Sequence, residues 1–144
     1  MMSFIGAALG SLGFAFIFHI RGNKLWIAAL TGGIGGLVYE IVLQSHSNVV
    51  ALFFASVVIS IFSEIFARVF KCPVTTFLVC SLIPLVPGGG MYYTMLEFVQ
   101  SDINGAILKG IDTISQACSI AVGCILVSSI MKMANQFKLK GKKI

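Results

Sequence analysis

The chain has 144 residues, of which 58% are hydrophobic and only 10% are charged. A soluble domain carries about 25% charged residues, so this composition excludes an ordinary soluble domain and indicates an integral membrane protein. The net charge of +5 comes mainly from the C-terminal end of the chain. A basic tail beside a membrane span is typical of a topology signal at an anionic lipid surface, so we expect the lipid bilayer and no nucleic acid as a partner.

Five apolar runs follow one another along the chain, each near the 20 or so residues that a membrane-spanning helix needs. The predicted spans cover residues 2–20, 25–43, 49–70, 74–99 and 114–133. Polar residues 100–113 are predicted to connect the last two spans, and residues 134–144 to form a basic cytoplasmic tail. The sequence therefore predicts an all-α membrane protein whose five transmembrane helices form a single domain over residues 1–144.

Basic residues alternate between the two sides of this arrangement. The second connection has no basic residue. The first and third connections and the tail carry the following ones: Arg21, Lys24, Arg68, Lys71, Lys138, Lys140, Lys142 and Lys143. Because basic residues accumulate on the cytoplasmic side of a membrane, we expect the N-terminus outside and the C-terminus in the cytoplasm.

Glycines recur at helical spacing in the first two spans. Gly6 and Gly10 form one pair four residues apart, and Gly32 and Gly36 form another. Such faces let helix backbones approach closely in lipid. The pattern is compatible with packing inside this chain, with packing against another subunit, and with a surface along a substrate path.

Two charged residues fall inside the third span. Glu64 precedes Arg68 by four residues, which is the favourable order for an ion pair on one face of a helix. The pair is either structural or functional. In a functional role, Glu64 would be a coupling acid and Arg68 would hold a substrate carboxylate through paired hydrogen bonds.

The fourth span is interrupted by residues that a helix does not tolerate. Pro84 and Pro87 each remove a backbone donor, and three consecutive glycines, Gly88, Gly89 and Gly90, are poor helix formers. Irregular backbone inside a membrane occurs only where protein buries it or water reaches it. The sequence therefore predicts a helix broken at Pro84-Pro87-Gly88, about ten residues into the span.

This break predicts a substrate-binding site. Pro87 is expected to begin the second half-helix, which leaves the N–H groups of Gly88, Gly89 and Gly90 as free donors at its positive end. Broken helices in transporters hold carboxylates in this way. Tyr92 follows within one turn and would add a hydroxyl group. A packing kink without a ligand is the alternative.

The sequence carries none of the motifs HExxH, Gly-x-Ser-x-Gly or the phosphate-binding loop, and its cysteines form no CxxC pair. We therefore expect no enzyme activity, no metal and no cofactor.

The third and fourth spans and the connection between them contain the residues Glu64-x-x-x-Arg68, Pro73, Ile83-Pro84-Leu85-Val86-Pro87-Gly88 and Tyr92. This pattern resembles the threonine/serine exporter family, and more narrowly the small five-span subunit of its split form.

This resemblance implies a subunit of a secondary exporter in the bacterial plasma (inner) membrane. The substrate would be threonine or serine, or a dicarboxylate such as succinate. It also implies a larger membrane subunit as partner, so that this chain would be one half of an inverted-repeat transporter, for which an odd number of spans is suitable. The rival interpretations are a non-transporting membrane scaffold and a homo-oligomeric channel.

Overall fold

In the computed structural model, the backbone is described for residues 2–140 and the side chains for residues 4–134. The described residues form helices and no strand. The helices are α1 (Met2–Ile17), α2 (Asn23–Leu43), α3 (Asn48–Val69), α4 (Thr75–Leu82), a 3₁₀ turn (Ile83–Leu85), α5 (Gly88–Val99) and α6 (Ile103–Lys140). The all-helical prediction is confirmed for this part of the chain.

Length and composition identify α2, α3 and α6 as helices able to cross a membrane. The segments Thr75–Leu85 and Gly88–Val99 meet at an angle of 48° and together form a fourth candidate span. Helix α1 has 16 residues and ends at Ile17, short of the 20 or so that a span needs. The structure thus supplies three or four candidate spans among the described residues.

Helices α1 to α4 pack together as a bundle, and α6 lies along the α3 side of it. Helix α5 has no buried residue and packs extensively only against α6. Helices α3 and α6 run in the same direction, because Ser119 contacts Val49 near the start of α3 and Arg68 contacts Met131 near its end. The first part of α6, which packs against α5, therefore extends beyond the start of α3.

Two clusters of apolar side chains form the core of the bundle at different levels. The first apolar cluster consists of Ala15, Leu25, Ala28, Ala67, Phe77 and Cys80. The second apolar cluster consists of Leu52, Ala55, Ile59 and Leu85. Buried polar side chains occupy the level between the two clusters.

The glycines of α2 serve packing inside this chain. A Cβ atom on Gly32 would overlap the side chain of Ser11 in α1, and one on Gly35 would overlap Ile59 in α3. The absence of side chains at these positions lets α2 approach both neighbours. For Gly32 and Gly35, the contacts support packing inside this chain, which is the first of the three roles that the sequence left open, whereas Gly6 and Gly36 border a cleft.

Residues 103–113 differ from the sequence expectation, because they are helical. Helix α6 begins at Ile103 and is continuous to Lys140, so the connection from α5 is only a short turn and part of the expected tail is helical. The N–H group of Gly105 donates to Asp102 Oδ1 at 3.0 Å, which caps the first turn. The polar residues that suggested a loop are compatible with an exposed helix face. With this cap they form the first turns of α6.

Candidate functional site

The fourth helix is broken at the predicted position. Helix α4 ends at Leu82 and passes into the 3₁₀ turn, in which the N–H group of Val86 donates to the carbonyl of Ile83 at 3.2 Å. Val86 then takes an extended conformation, and α5 starts at Gly88 after a change of direction of 48°. The prolines thus end one helix and allow another to begin.

The backbone donors at the start of α5 differ in part from the expectation. Pro87 caps the helix, and its φ of −74° and ψ of 56° form an inverse γ-turn. In this turn the N–H group of Gly88 donates to the carbonyl of Val86 at 2.7 Å, so it is not free for a ligand. The N–H groups of Gly89 and Gly90 have no acceptor among the described residues.

The side of the break that faces the bundle borders a cleft of about 390 Å³. Residues 84–87 form one wall, and polar side chains from three other helices also line the cleft: Tyr39 of α2, Asn48 of α3 and Gln116 of α6. The remaining lining residues are small or apolar: Gly6 and Ala7 of α1, Gly36 of α2 and Leu52 of α3. The cleft lies near the end of the bundle where α2 ends and α3 begins. This position is closer to one end of the bundle than the mid-span position that the length of the run suggested.

Hydrogen bonds fix the orientation of the polar groups in this cleft. The Tyr39 hydroxyl donates to Asn48 Oδ1 at 2.8 Å, which leaves the amide N–H groups of Asn48 as donors. The Gln116 amide donates to Asp112 Oδ2 at 2.8 Å, which leaves its own oxygen as an acceptor. A bound molecule would therefore meet both donors and acceptors, on walls that are otherwise largely apolar.

Glu64 and Arg68 lie at a different level from the cleft, and neither lines it. Arg68 Nη2 is 3.5 Å from Glu64 Oε2 and 3.4 Å from the carbonyl oxygen of Met131, to which it donates. The Glu64 side chain is 12% exposed and that of Arg68 is 45% exposed. The structure thus pairs these two residues on α3 and does not bring Arg68 to the broken helix.

Tyr92 and Gly90 do not face the cleft either. The Tyr92 side chain is exposed and stacks edge to face on Tyr93, with ring centroids 5.4 Å apart. Gly90 packs closely on Thr113 of α6, which explains the absence of a side chain there. Of the predicted substrate-binding residues, only Pro84 and Pro87 line the cleft directly.

Sequence reasoning missed Tyr39, Asn48 and Gln116. The first two lie near the ends of apolar runs, where polar side chains are ordinary. Gln116 carried a usable signal, because it is a polar residue within the predicted fifth span. Within the described part of the chain, no group of three His, Cys, Asp or Glu side chains could hold a metal ion.

Comparison with known proteins agrees with the membrane architecture. A family model described as "Threonine/Serine exporter, ThrE" matches residues 3–130. An uncharacterized protein of Haemophilus influenzae is 28% identical over 95 residues, which are 65% of this chain and 32% of that protein. The chain thus aligns with about a third of the length of this relative. No solved structure matches the chain.

Proposed function

Because the chain belongs to the threonine/serine exporter family, we propose that it is a membrane subunit of a secondary exporter of small amino acids, with threonine and serine as substrates. The cleft beside Pro84–Pro87 is the proposed substrate site. The single observation that carries this assignment is the convergence of Tyr39, Asn48 and Gln116 on the broken helix.

The chemistry of the cleft favours a net-neutral polar substrate. The amide donors of Asn48 are suited to a carboxylate or hydroxyl oxygen, and the amide oxygen of Gln116 is suited to an ammonium or hydroxyl group. No basic side chain is among the described residues that line the cleft. A dicarboxylate carries two negative charges that these groups would not neutralise, so the cleft favours a zwitterionic amino acid over succinate.

A second membrane subunit is part of this proposal. The Haemophilus influenzae relative extends over about three times the aligned length. We propose that a partner chain of the same exporter family supplies what the rest of that relative contains. The many exposed apolar side chains of α5 and α6, among them Met95, Val99 and Leu108, are suitable for contact with lipid and with such a partner.

The proposed topology counts α1 and the bent α4–α5 unit as spans and places the N-terminus outside. Helix α6 then returns the chain to the cytoplasmic side, where its last turns carry lysines. The cleft would lie toward the extracytoplasmic side in this orientation. A C-terminal reporter that is accessible only from outside would contradict it.

Efflux of radiolabelled threonine, serine and succinate from cells that express the chain with its proposed partner tests the function. Gln116→Leu should lower amino-acid efflux at least several-fold, because it removes the polar group that α6 places in the cleft. Gln100→Leu is the matched control, since Gln100 is exposed in the turn before α6. Equal efflux from both variants would contradict the proposed site, and no efflux above background from the unaltered protein would contradict the function.

A further inference from the structure

A layer of hydroxyl groups separates the two apolar clusters of the bundle. Each helix of the bundle contributes at this level: Ser11 from α1, Thr31 from α2, Ser60 and Ser63 from α3, and Ser81 from α4. We call these residues, together with Glu64, the polar layer. Apolar clusters border it on both sides, so its hydroxyl groups have no direct contact with bulk water.

The order of residues along each helix places these groups at one level. On α3, Ile59 belongs to the second apolar cluster and Ala67 to the first, with Ser60, Ser63 and Glu64 between them. Along α4 and the 3₁₀ turn that follows it, Cys80 belongs to the first cluster and Leu85 to the second, with Ser81 between them. Two contacts connect α2 to its neighbours α4 and α1 at this level: Ser81 Oγ donates to the carbonyl of Ala28 at 3.1 Å, and Ser11 packs on Gly32.

Three hydroxyl groups of the polar layer lack a hydrogen-bond partner among the described residues. They belong to Ser11, Ser60 and Ser63, which are at most 1% exposed. Serine and threonine in helices commonly donate to a carbonyl one turn earlier. Ser56 and Thr31 of this chain do so, at 2.8 Å each. Ser60 and Ser63 do not, although a buried hydroxyl without a partner is unfavourable.

The negative charge beside this layer is only loosely balanced. Glu64 is the one acidic residue in the layer, and its contact with Arg68 is 3.5 Å long, whereas a strong charge-assisted hydrogen bond is about 2.7–2.9 Å. Arg68 also donates to the Met131 carbonyl, and nearly half of its side chain is exposed. Glu64 therefore retains the capacity to bind a second cation.

We propose that the polar layer binds a monovalent metal cation, for which Na⁺ is the probe. Hydroxyl and carboxylate oxygens are the hard ligands that alkali and alkaline-earth cations prefer. Ser60, Ser63 and Glu64 supply three such groups from one face of α3, Ser11 supplies another, and Thr31 and Ser81 keep free lone pairs while they donate to carbonyls. The role of this ion in driving export rests on the proposed function, whereas its binding does not.

Thermal unfolding of the purified full chain in detergent tests the site. The unfolding temperature should be a few degrees higher in NaCl than in choline chloride at equal ionic strength, because a cation that binds only the folded state stabilises it. Ser63→Ala and Glu64→Gln should each lose most of this rise. Ser56→Ala is the matched control and should keep it, since the Ser56 hydroxyl is satisfied by Phe53.

Folding of the variants is measured in the same experiment. Ser63→Ala removes a buried hydroxyl without a partner, so in choline chloride it should unfold at or above the temperature of the unaltered protein. An unfolding temperature that responds to pH and not to Na⁺ would assign Glu64 to a proton and overturn the cation site. Equal loss of the Na⁺ effect in Ser56→Ala would also overturn it.

The two proposals fail separately. Absence of a Na⁺ effect would overturn the cation site but would leave the efflux measurements and the cleft assignment unchanged. Conversely, a Na⁺ effect that Ser63→Ala abolishes would support the cation site even where no amino acid is exported.

Discussion

The ring of Pro84 lies against Gly10, so that a Cβ atom on Gly10 would be 3.3 Å from Pro84 Cγ. This contact connects α1 to the broken helix. Because Gly10 has no side chain, the ring of Pro84 can pack directly on α1. The position of the cleft wall therefore depends on a glycine that lies more than 70 residues earlier in the chain.

Gly10→Leu is expected to displace the wall formed by residues 84–87 and to lower threonine efflux. The larger side chain must push against Pro84, and overpacking of this kind costs about 1–3 kcal/mol. Gly13→Leu is the control on the same helix, because a Cβ atom there meets no atom within 4 Å. Efflux and unfolding temperature that respond equally to both substitutions would contradict this interpretation.

Tyr39→Phe is expected to lower efflux about five-fold. It removes the hydroxyl that orients Asn48, and one hydrogen bond contributes about 1 kcal/mol. Tyr92→Phe should leave efflux unchanged, because the Tyr92 side chain is exposed outside the cleft. Lower efflux in Tyr92→Phe and unchanged efflux in Tyr39→Phe would instead support a substrate site at the start of α5, which is the site predicted from the sequence alone.

Gly123→Ala is expected to destabilise the contact between α3 and α6. Its Cβ atom would overlap Ser56 Oγ and lie 3.1 Å from the Phe53 carbonyl oxygen. We expect a loss of about 1–3 kcal/mol in the free energy of unfolding. The double variant with Ser56→Ala should recover part of it, because the closest atom is then absent. Additive losses in denaturant titrations would show that the two residues do not meet.

In choline chloride, substitution of Arg68 should lower the stability of the protein more than substitution of Glu64. Arg68→Ala leaves a buried carboxylate without its partner and should cost on the order of 1–3 kcal/mol, less than in a fully buried pair because Arg68 is partly exposed. Glu64→Gln removes the charge and should cost less. Adding Glu64→Gln to Arg68→Ala should therefore restore stability. Unfolding temperatures of the three variants check this order.

The helix break could be predicted from sequence because its cause is local. Pro84 and Pro87 remove backbone donors wherever they stand in a helix, and the structure breaks the helix there. The fate of the Gly88 amide could not be predicted in the same way. It depends on the conformation of Pro87, whose ψ angle closes a γ-turn onto Val86.

The start of α6 and the walls of the cleft could not be predicted from the local sequence. Residues 103–113 contain Asn104, Lys109 and Asp112, which suggest a loop by composition but occupy a helix that Asp102 caps. Tyr39 and Gln116 are 77 positions apart and share a cleft only because the bundle packs as it does. Their polarity was visible in the sequence, whereas their proximity was not.

The length of α6 has a consequence for the lipid around the protein. Its 38 residues extend for about 57 Å, nearly twice the hydrocarbon thickness of about 30 Å. The helix must therefore tilt, project from the bilayer, or both. Gln116 is part of α6, so a change in the tilt or depth of this helix also moves the cleft that Gln116 lines. The depth of the cleft mouth relative to the headgroups should therefore vary with acyl-chain length. Reconstitution in lipids of graded chain length would measure that dependence.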